Sequence, residues 1–287
     1  MTSGREPGGL RPRPRIDHVM VLVDERVLLE AASNPLVEER LGRVRRKVAD
    51  SSVAGSYSTL GVAGHHTLVE LFGAALPAES PLTGGLVLSF EEPGSSRAAH
   101  ALLDAAGVRH QHRPVTRADE ATGLQQPWYQ LINADLGEGS RLLLFLNEVH
   151  PAYFASLGAV PAPDGSLGRG AYLDAVLGGP AGERRLLRDI TGVTLAVTAE
   201  RARRLAAVLG VLGYELLTGG AAPVLRGEDF DIVLDIHENA RERVEEIRLE
   251  LTRDIPDDLP DVIPFGPSSR LVFDRPGGAR WIFDESV

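Results

Sequence analysis

An α+β fold built from a repeated strand–helix–strands unit is what this sequence predicts, on three observations. Three similar apolar openings occur, IDHVMVLV at 16–23, TGGLVLSF at 83–90 and ITGVTLAV at 190–197. Their Val and Ile content and the bounding Gly and Pro residues favour strand over buried helix. Each opening is followed by a helical pattern and then by several further short apolar runs, so the unit recurs every 70–100 residues or so.

In chain order, a strand at 16–23 precedes a helical stretch over about 26–49, then strands at about 53–63 and 66–72. The second unit opens at Gly85–Phe90 and continues with a helix from Ser95 to Ala106, which Gly107 stops. Strands follow at about 109–115, 127–133 and 141–148. A Gly/Pro/Ala-rich segment at 158–170 and a short helix near 171–177 form a linker. The third opening, Ile190–Thr198, leads into a helix over Ala199–Leu212, ended by Gly213, and strands at 214–218, 230–236, 245–252, 269–274 and 279–284. In the stretch Glu242–Arg253, charges alternate with Ile247, Leu249 and Leu251, as in a strand with one wet face. The expected domains are a disordered tail at 1–15, paired modules at 16–150 (16–80 and 84–150), a linker at 151–188 and a C-terminal module at 189–287.

The 287 residues carry a net charge of −10, which argues against nucleic acid or an anionic membrane as partner. With no Cys, disulfides, thiolate nucleophiles and Cys-ligated metals are excluded, so any metal must use His, Asp, Glu or backbone oxygen. Lys47 is the one lysine and sits in a charged run, which disfavours Schiff-base chemistry. No apolar run reaches the ~20 residues of a membrane span, no signal-peptide core precedes residue 16, and no phosphate-loop or nucleophile-elbow motif occurs. The expectation is a soluble, cytoplasmic protein, monomeric or homodimeric, with a small-molecule partner.

Two residues lead the search for a site. His18 lies in the first apolar strand, and Glu70 interrupts another, TLVELFG at 67–73. A charge within an apolar strand is costly unless paired or metal-bound, and an imidazole and a carboxylate on separate strands can begin a divalent metal site. His65 and His66 read as a turn, because His66 is ~13 Å along the strand from Glu70. His110 and His112 share one face of a solvated edge strand, and His100 and His237 read as surface residues. Tyr57, Trp128 and Tyr129 are the aromatics expected to line a cleft, although core packing explains them equally well.

The repeated unit with His on its first strand and Glu on its last resembles the vicinal oxygen chelate superfamily of glyoxalases, bleomycin-resistance proteins and extradiol dioxygenases. IDHVMVLV and TLVELFG carry the resemblance, over 16–150 as two modules and more weakly over 189–287 as a third. It implies paired βαβββ modules forming a U-shaped mixed sheet around a cleft, plus a βαβββ-like C-terminal module. It also implies one divalent metal (Fe, Mn, Zn or Ni) held by first- and last-strand ligands. Carried over by position, His18 and Glu70 are ligands of module one. Module two has Gly85 at the His18 position and offers Glu148 as the second carboxylate; module three has Gly192. Strand alternation puts Glu148 and His150 on one face, ~6.7 Å apart. The expected site is therefore His18, Glu70 and Glu148 around the metal, with His150 as a substitute ligand or an acid/base, and Glu148 or Glu70 as the base where a ligand position is vacant. The implied activity is that of an isomerase or lyase on a small bidentate-oxygen substrate. An Fe(II) ring-cleaving dioxygenase comes second because the second His is missing at Gly85. A metal-free resistance-type binding protein is the alternative from another class.

Overall fold

The computed structural model describes residues 12–51, 55–73, 82–119, 122–182 and 184–284, with the side chains of 49–51 and 55–57 outside that description. Most of the tail expected at 1–15 falls outside it as well, and Arg15 already belongs to the first strand.

Module one comprises β1 (Arg15–Val23), α1 (Glu25–Ala32), β2 (Arg43–Ser51), β3 (Gly55–Ala63) and β4 (Leu68–Gly73). Module two comprises β5 (Gly84–Phe90), α2 (Ser95–Ala105), β6 (His110–Ala118), β7 (Gln125–Ala134) and β8 (Leu142–Val149). Together they form one eight-stranded sheet in the order β2-β3-β4-β1-β5-β8-β7-β6. The last strand of each module lies parallel to the first, β4 beside β1 and β8 beside β5, because the helix carries the chain back before the remaining strands are laid down. This is the α+β architecture of repeated βαβββ modules that the openings predict.

The helix expected over 26–49 is shorter than its pattern. It ends at Ala32, a π-type turn follows at 36–41, and Arg43–Ser51 is strand β2. β2 is the outer strand of its sheet, and its Arg and Lys side chains suit an edge that must not pair with another chain. Charges on an exposed edge strand and charges on an exposed helix face look alike in sequence.

The linker holds two short helices, α3 (Pro151–Ser156) and α4 (Arg169–Leu177). The C-terminal segment then contains a third module and a further four-stranded unit. The third module is β9 (Leu187–Val197), α5 (Ala199–Val211), β10 (Glu215–Leu217), β11 (Val224–Arg226) and β12 (Asp231–Ile236), with β12 parallel to β9. The fourth unit is β13 (Arg243–Leu251), β14 (Val262–Phe265), β15 (Ser269–Asp274) and β16 (Gly278–Phe283). No helix separates β13 from β14, so the chain turns back directly and β16 lies antiparallel to β13. A crossover is what permits parallel pairing. The second sheet repeats the first in order, β10-β11-β12-β9-β13-β16-β15-β14. The short strands β11 and β14 have no apolar run long enough to be read from sequence.

Buried side chains of both sheets, from Val19 and Leu71 to Leu195 and Trp281, belong to one contiguous apolar core. Polar contacts also lock the sheets together. The turn before β4 donates the His66 and Thr67 amides to Asp189 on β9, at 2.7 and 3.0 Å. At the same contact, a Cβ on Gly64 would lie 2.1 Å from the Arg188 carbonyl oxygen, so only glycine allows this approach. His65 and His66 thus serve a turn, as expected, and one that holds the two sheets together.

Candidate functional site

A cavity of about 980 Å³ lies on the first sheet, lined by residues of all eight strands β1 to β8 and closed by side chains from α3 and α4. The linker is therefore a wall of the cleft. Met20, Glu70 and Phe72 face the cavity, while their neighbours Val19, Val69 and Leu71 are buried in the core. Strand alternation alone explains that sorting.

Alternation fails within β1, and that failure builds the site. In the β1–β5 ladder, Ile16 pairs with Leu88 and His18 with Val87, leaving Asp17 as the extra residue of a bulge. A bulge re-aims side chains, so the consecutive residues Asp17 and His18 both reach the cavity. His18 Nδ1 donates to Asp17 Oδ1 at 2.7 Å, which directs Nε2 toward Glu70, whose Oε2 is 3.7 Å away. Arg169 on α4 reaches the same Asp17 oxygen at 2.6 Å, and both side chains are nearly buried. Arg169 is itself held by its amide on Glu91 and by the face of Tyr172.

Burial opposes the charged forms of both residues, and their partners outweigh it. For Asp17, the charges of Arg169 and His18 and hydrogen bonds from His18 and Asn147 hold the carboxyl below its ordinary range. For His18, the hydrogen bond and charge of Asp17, with the charge of Glu70, raise the imidazole above its ordinary value.

The two modules meet about the β1–β5 pair, where His18 lies opposite Val87. Glu70 stands beside Met20 in the β1–β4 ladder, and Asn147 stands beside Ser89 in the β5–β8 ladder. From module two, Val87, Phe145 and Asn147 face the same cavity as His18 and Glu70. Gly85 faces Met20 across the ladder and is packed so closely that a Cβ would lie 2.7 Å from the Leu143 carbonyl oxygen.

Glu148 is turned away from the cavity. Its two oxygens accept from the amides of Gly94 and Ser96, at 2.8 and 2.7 Å, at the start of α2. Phe145, Asn147 and Val149 are the β8 residues that line the cleft. Both faces of β8 are apolar in sequence, so alternation pairs its residues correctly without saying which face meets the cavity. A carboxylate at a helix N-terminus satisfies open amides and favours the helix dipole. Glu148→Ala is expected to cost about 2 kcal/mol of stability and to leave ligand or metal uptake by the cleft unchanged. Denaturant unfolding beside a metal assay checks both.

His150 is likewise no part of the cleft. Its Nδ1 accepts from the Ala152 amide at 3.2 Å and caps α3. Trp128 and Tyr129 both line the cavity, although they are adjacent on β7. The β6–β7 ladder slips at this point, where Val115 pairs with Tyr129 and Thr116 with Pro127, and Trp128 is the bulged residue. The side chain of Tyr57 lies outside the described residues. In the second sheet, the position expected to match His18 is Gly192, and the Arg248 guanidinium occupies the space that a side chain there would need.

Sequence reading missed Asp17, Arg169 and Asn147. Asp17 and Asn147 are visible as polar residues inside apolar strands, the signal that led to Glu70. Arg169 comes from the linker and leaves no trace in any strand pattern.

A model of the family described as "Family of unknown function (DUF5829)" matches residues 16–272. No curated protein matches the sequence. Among solved structures, a hypothetical protein from Staphylococcus aureus is 10% identical, with TM-score 0.50, over 78% of this chain and 86% of that one. The Mn(II)-bound glyoxalase from Novosphingobium aromaticivorans is 13% identical, with TM-score 0.42, over 78% of this chain and 63% of that one. A variant of 4-hydroxymandelate synthase from Streptomyces coelicolor is 12% identical, with TM-score 0.42, over 81% and 63%. The chain thus spans less than two thirds of the length of either enzyme. These are likenesses of fold alone. Among the described residues no helix is long and apolar enough to cross a membrane.

Proposed function

The chain belongs to the DUF5829 family, and from its cleft we propose that it is a divalent-metal enzyme of vicinal oxygen chelate type. The reaction class is isomerase or lyase, and the substrate is a small molecule with two neighbouring oxygens. The observation that carries this reading is the Asp17–His18–Glu70 arrangement on the cleft floor. The 3.7 Å between His18 Nε2 and Glu70 Oε2 is too long for a hydrogen bond. It suits two ligands each ~2.0–2.2 Å from a shared ion. Asp17 fixes the His18 tautomer from behind, as outer carboxylates do for metal-bound imidazoles.

When bound, the metal would supply Lewis acidity to the substrate oxygens. The chain's own groups do the rest. Two protein donors leave the remaining positions to substrate oxygens and water. Arg169 keeps Asp17 ionised, so His18 holds its proton on Nδ1 and presents Nε2 to the cleft. Arg45 and Lys47 on β2 add positive charge to a cavity of an otherwise acidic protein, which favours an anionic substrate. Trp128, Tyr129 and Tyr172 offer aromatic faces and shield the floor from water. Glu70 is the carboxylate placed to accept a substrate proton. Dioxygenase chemistry of the facial-triad kind needs a second imidazole, and neither Gly85 nor Val87 on β5 supplies one.

The test is metal content of the purified protein, wild type beside His18→Ala and Glu70→Ala. Near one equivalent attributable to the cleft, lost in both variants, is expected. Equal metal content in all three proteins would sink the reading. The absence of an imidazole or carboxylate among the described β5 and β8 residues that line the cleft favours a second reading, a metal-free protein that sequesters its ligand there. In that case chelator shifts the melting temperature equally in the wild type and in the two cleft variants.

A further inference from the structure

A second group of donors stands outside the cleft, between α2 and β6. His100 and Asp104 are one turn apart on α2 and so share a face. His110 opens β6, and His112 follows it on the same side of the strand. The ligand atoms of His100, Asp104 and His110 all lie within 4.8 Å of one another. None of the four residues lines the cleft.

The protons constrain this cluster. His110 is 2% exposed, and its Nδ1 lies 2.8 Å from the Val108 carbonyl oxygen. A carbonyl only accepts, so Nδ1 carries the proton and Nε2 presents a lone pair. That lone pair accepts a hydrogen bond from His100 Nδ1 at 2.7 Å, which a bound ion would replace, and lies 3.8 Å from Asp104 Oδ1. On its other side, His100 Nε2 faces Asp104 Oδ2 at 3.5 Å. The two carboxylate separations are too long for hydrogen bonds and suit ligands of one ion. A backbone carbonyl that fixes the tautomer of a buried imidazole is the outer-shell support of metal-ligating histidines. The His112 ring stacks obliquely on His100, 4.7 Å between centroids, and its buried Nε2 has no hydrogen-bond partner. A surface cavity of about 660 Å³, bordered by Asp104 and His110, gives access from solvent.

We propose that His100, Asp104 and His110, with His112 adjacent, form a second divalent metal site of the Zn(II) type. Imidazoles with one carboxylate and no thiolate suit Zn, Ni or Cu over Mg or Ca. The site would staple the end of α2 to β6, the outer strand of its sheet, which otherwise pairs with β7 alone. Its role is structural, since no side chain in it reaches the cleft.

The experiment uses the full chain carrying His18→Ala and Glu70→Ala, so that the cleft donors are gone. It is titrated with zinc chloride by calorimetry, and its melting temperature is followed with and without the metal. One equivalent of zinc and a rise in melting temperature are expected. Adding His100→Gln and Asp104→Asn should weaken zinc binding at least tenfold or so and abolish that rise. Both added changes are at accessible positions, so the metal-free melting temperature should hold, and the buried His110 is left in place. Absence of zinc binding in the first variant, or an unchanged affinity in the second, overturns the proposal. Neither result bears on the cleft, which is read separately from the loss of metal between wild type and the cleft variants.

Discussion

Asp17→Ala is expected to cost about 3–5 kcal/mol of folding stability and to lower the titration midpoint of His18. Removing the carboxylate strands the Arg169 guanidinium, 10% exposed, whose Nε already lacks a partner. Breaking one side of a buried pair costs more than the pair was worth, because the other charge stays desolvated. The isosteric Asp17→Asn separates this charge effect from packing. His18 is raised above its ordinary value of 6.5 in the fold. Its contribution is therefore complete below about pH 6.5 and is lost as pH rises through the folded-state value. Asp17 is depressed below its ordinary 3.8. Its contribution is complete above about pH 3.8 and is lost as pH falls through its folded-state value. The wild type should thus lose stability from about pH 6.5 upward by more than Asp17→Asn does. Urea unfolding across pH and an NMR titration of the imidazole check this. Parallel pH profiles for the two proteins would remove Asp17 as the cause.

Glu242→Ala should be as damaging, by about 3–5 kcal/mol, for a different reason. Glu242 precedes β13 in the second half of the chain, and its Oε1 accepts from Arg201 Nε at 2.8 Å with both side chains buried. Its Oε2 accepts the Arg141 amide of the first half at 3.0 Å, and its carbonyl accepts Thr83 Oγ1 at 2.6 Å. One residue therefore ties the two sheets and neutralises a buried guanidinium. The chain has two tryptophans, Trp128 in the first sheet and Trp281 in the second. With either one replaced by Phe, fluorescence reports each sheet alone. Coincident transitions are expected in the parent, and separated ones at lower denaturant after Glu242→Ala. Coincident transitions with a loss under about 1 kcal/mol, the scale of an exposed pair, would show that the latch is weak.

The strand openings are legible because each is a short apolar run bounded by turn residues, whose burial follows from composition. Ile247, Leu249 and Leu251 are buried as their alternation requires. His18 and Glu70 stood out for the same reason, as polar groups where the pattern calls for apolar ones, and the structure sets them in one cleft. Glu148 satisfied the same test and serves a helix end instead. A carboxylate in an apolar strand announces a partner without saying whether it is an ion, a base or a row of amides. His100 read as a surface residue and His110 as part of a solvated edge strand, because sequence does not show that α2 brings the two rings together.

The sequence by itself determined the three strand openings, the repeated strand–helix–strands unit and the residues whose polarity needed explaining, because periodicity and composition are local properties of a chain. Only the tertiary structure decided which of those residues meet. A one-residue bulge at Asp17, a strand register that sets Val87 opposite His18, and an arginine delivered by the linker are long-range choices. Each depends on which backbone groups pair across a sheet or pack across a cleft, and no local pattern encodes that pairing.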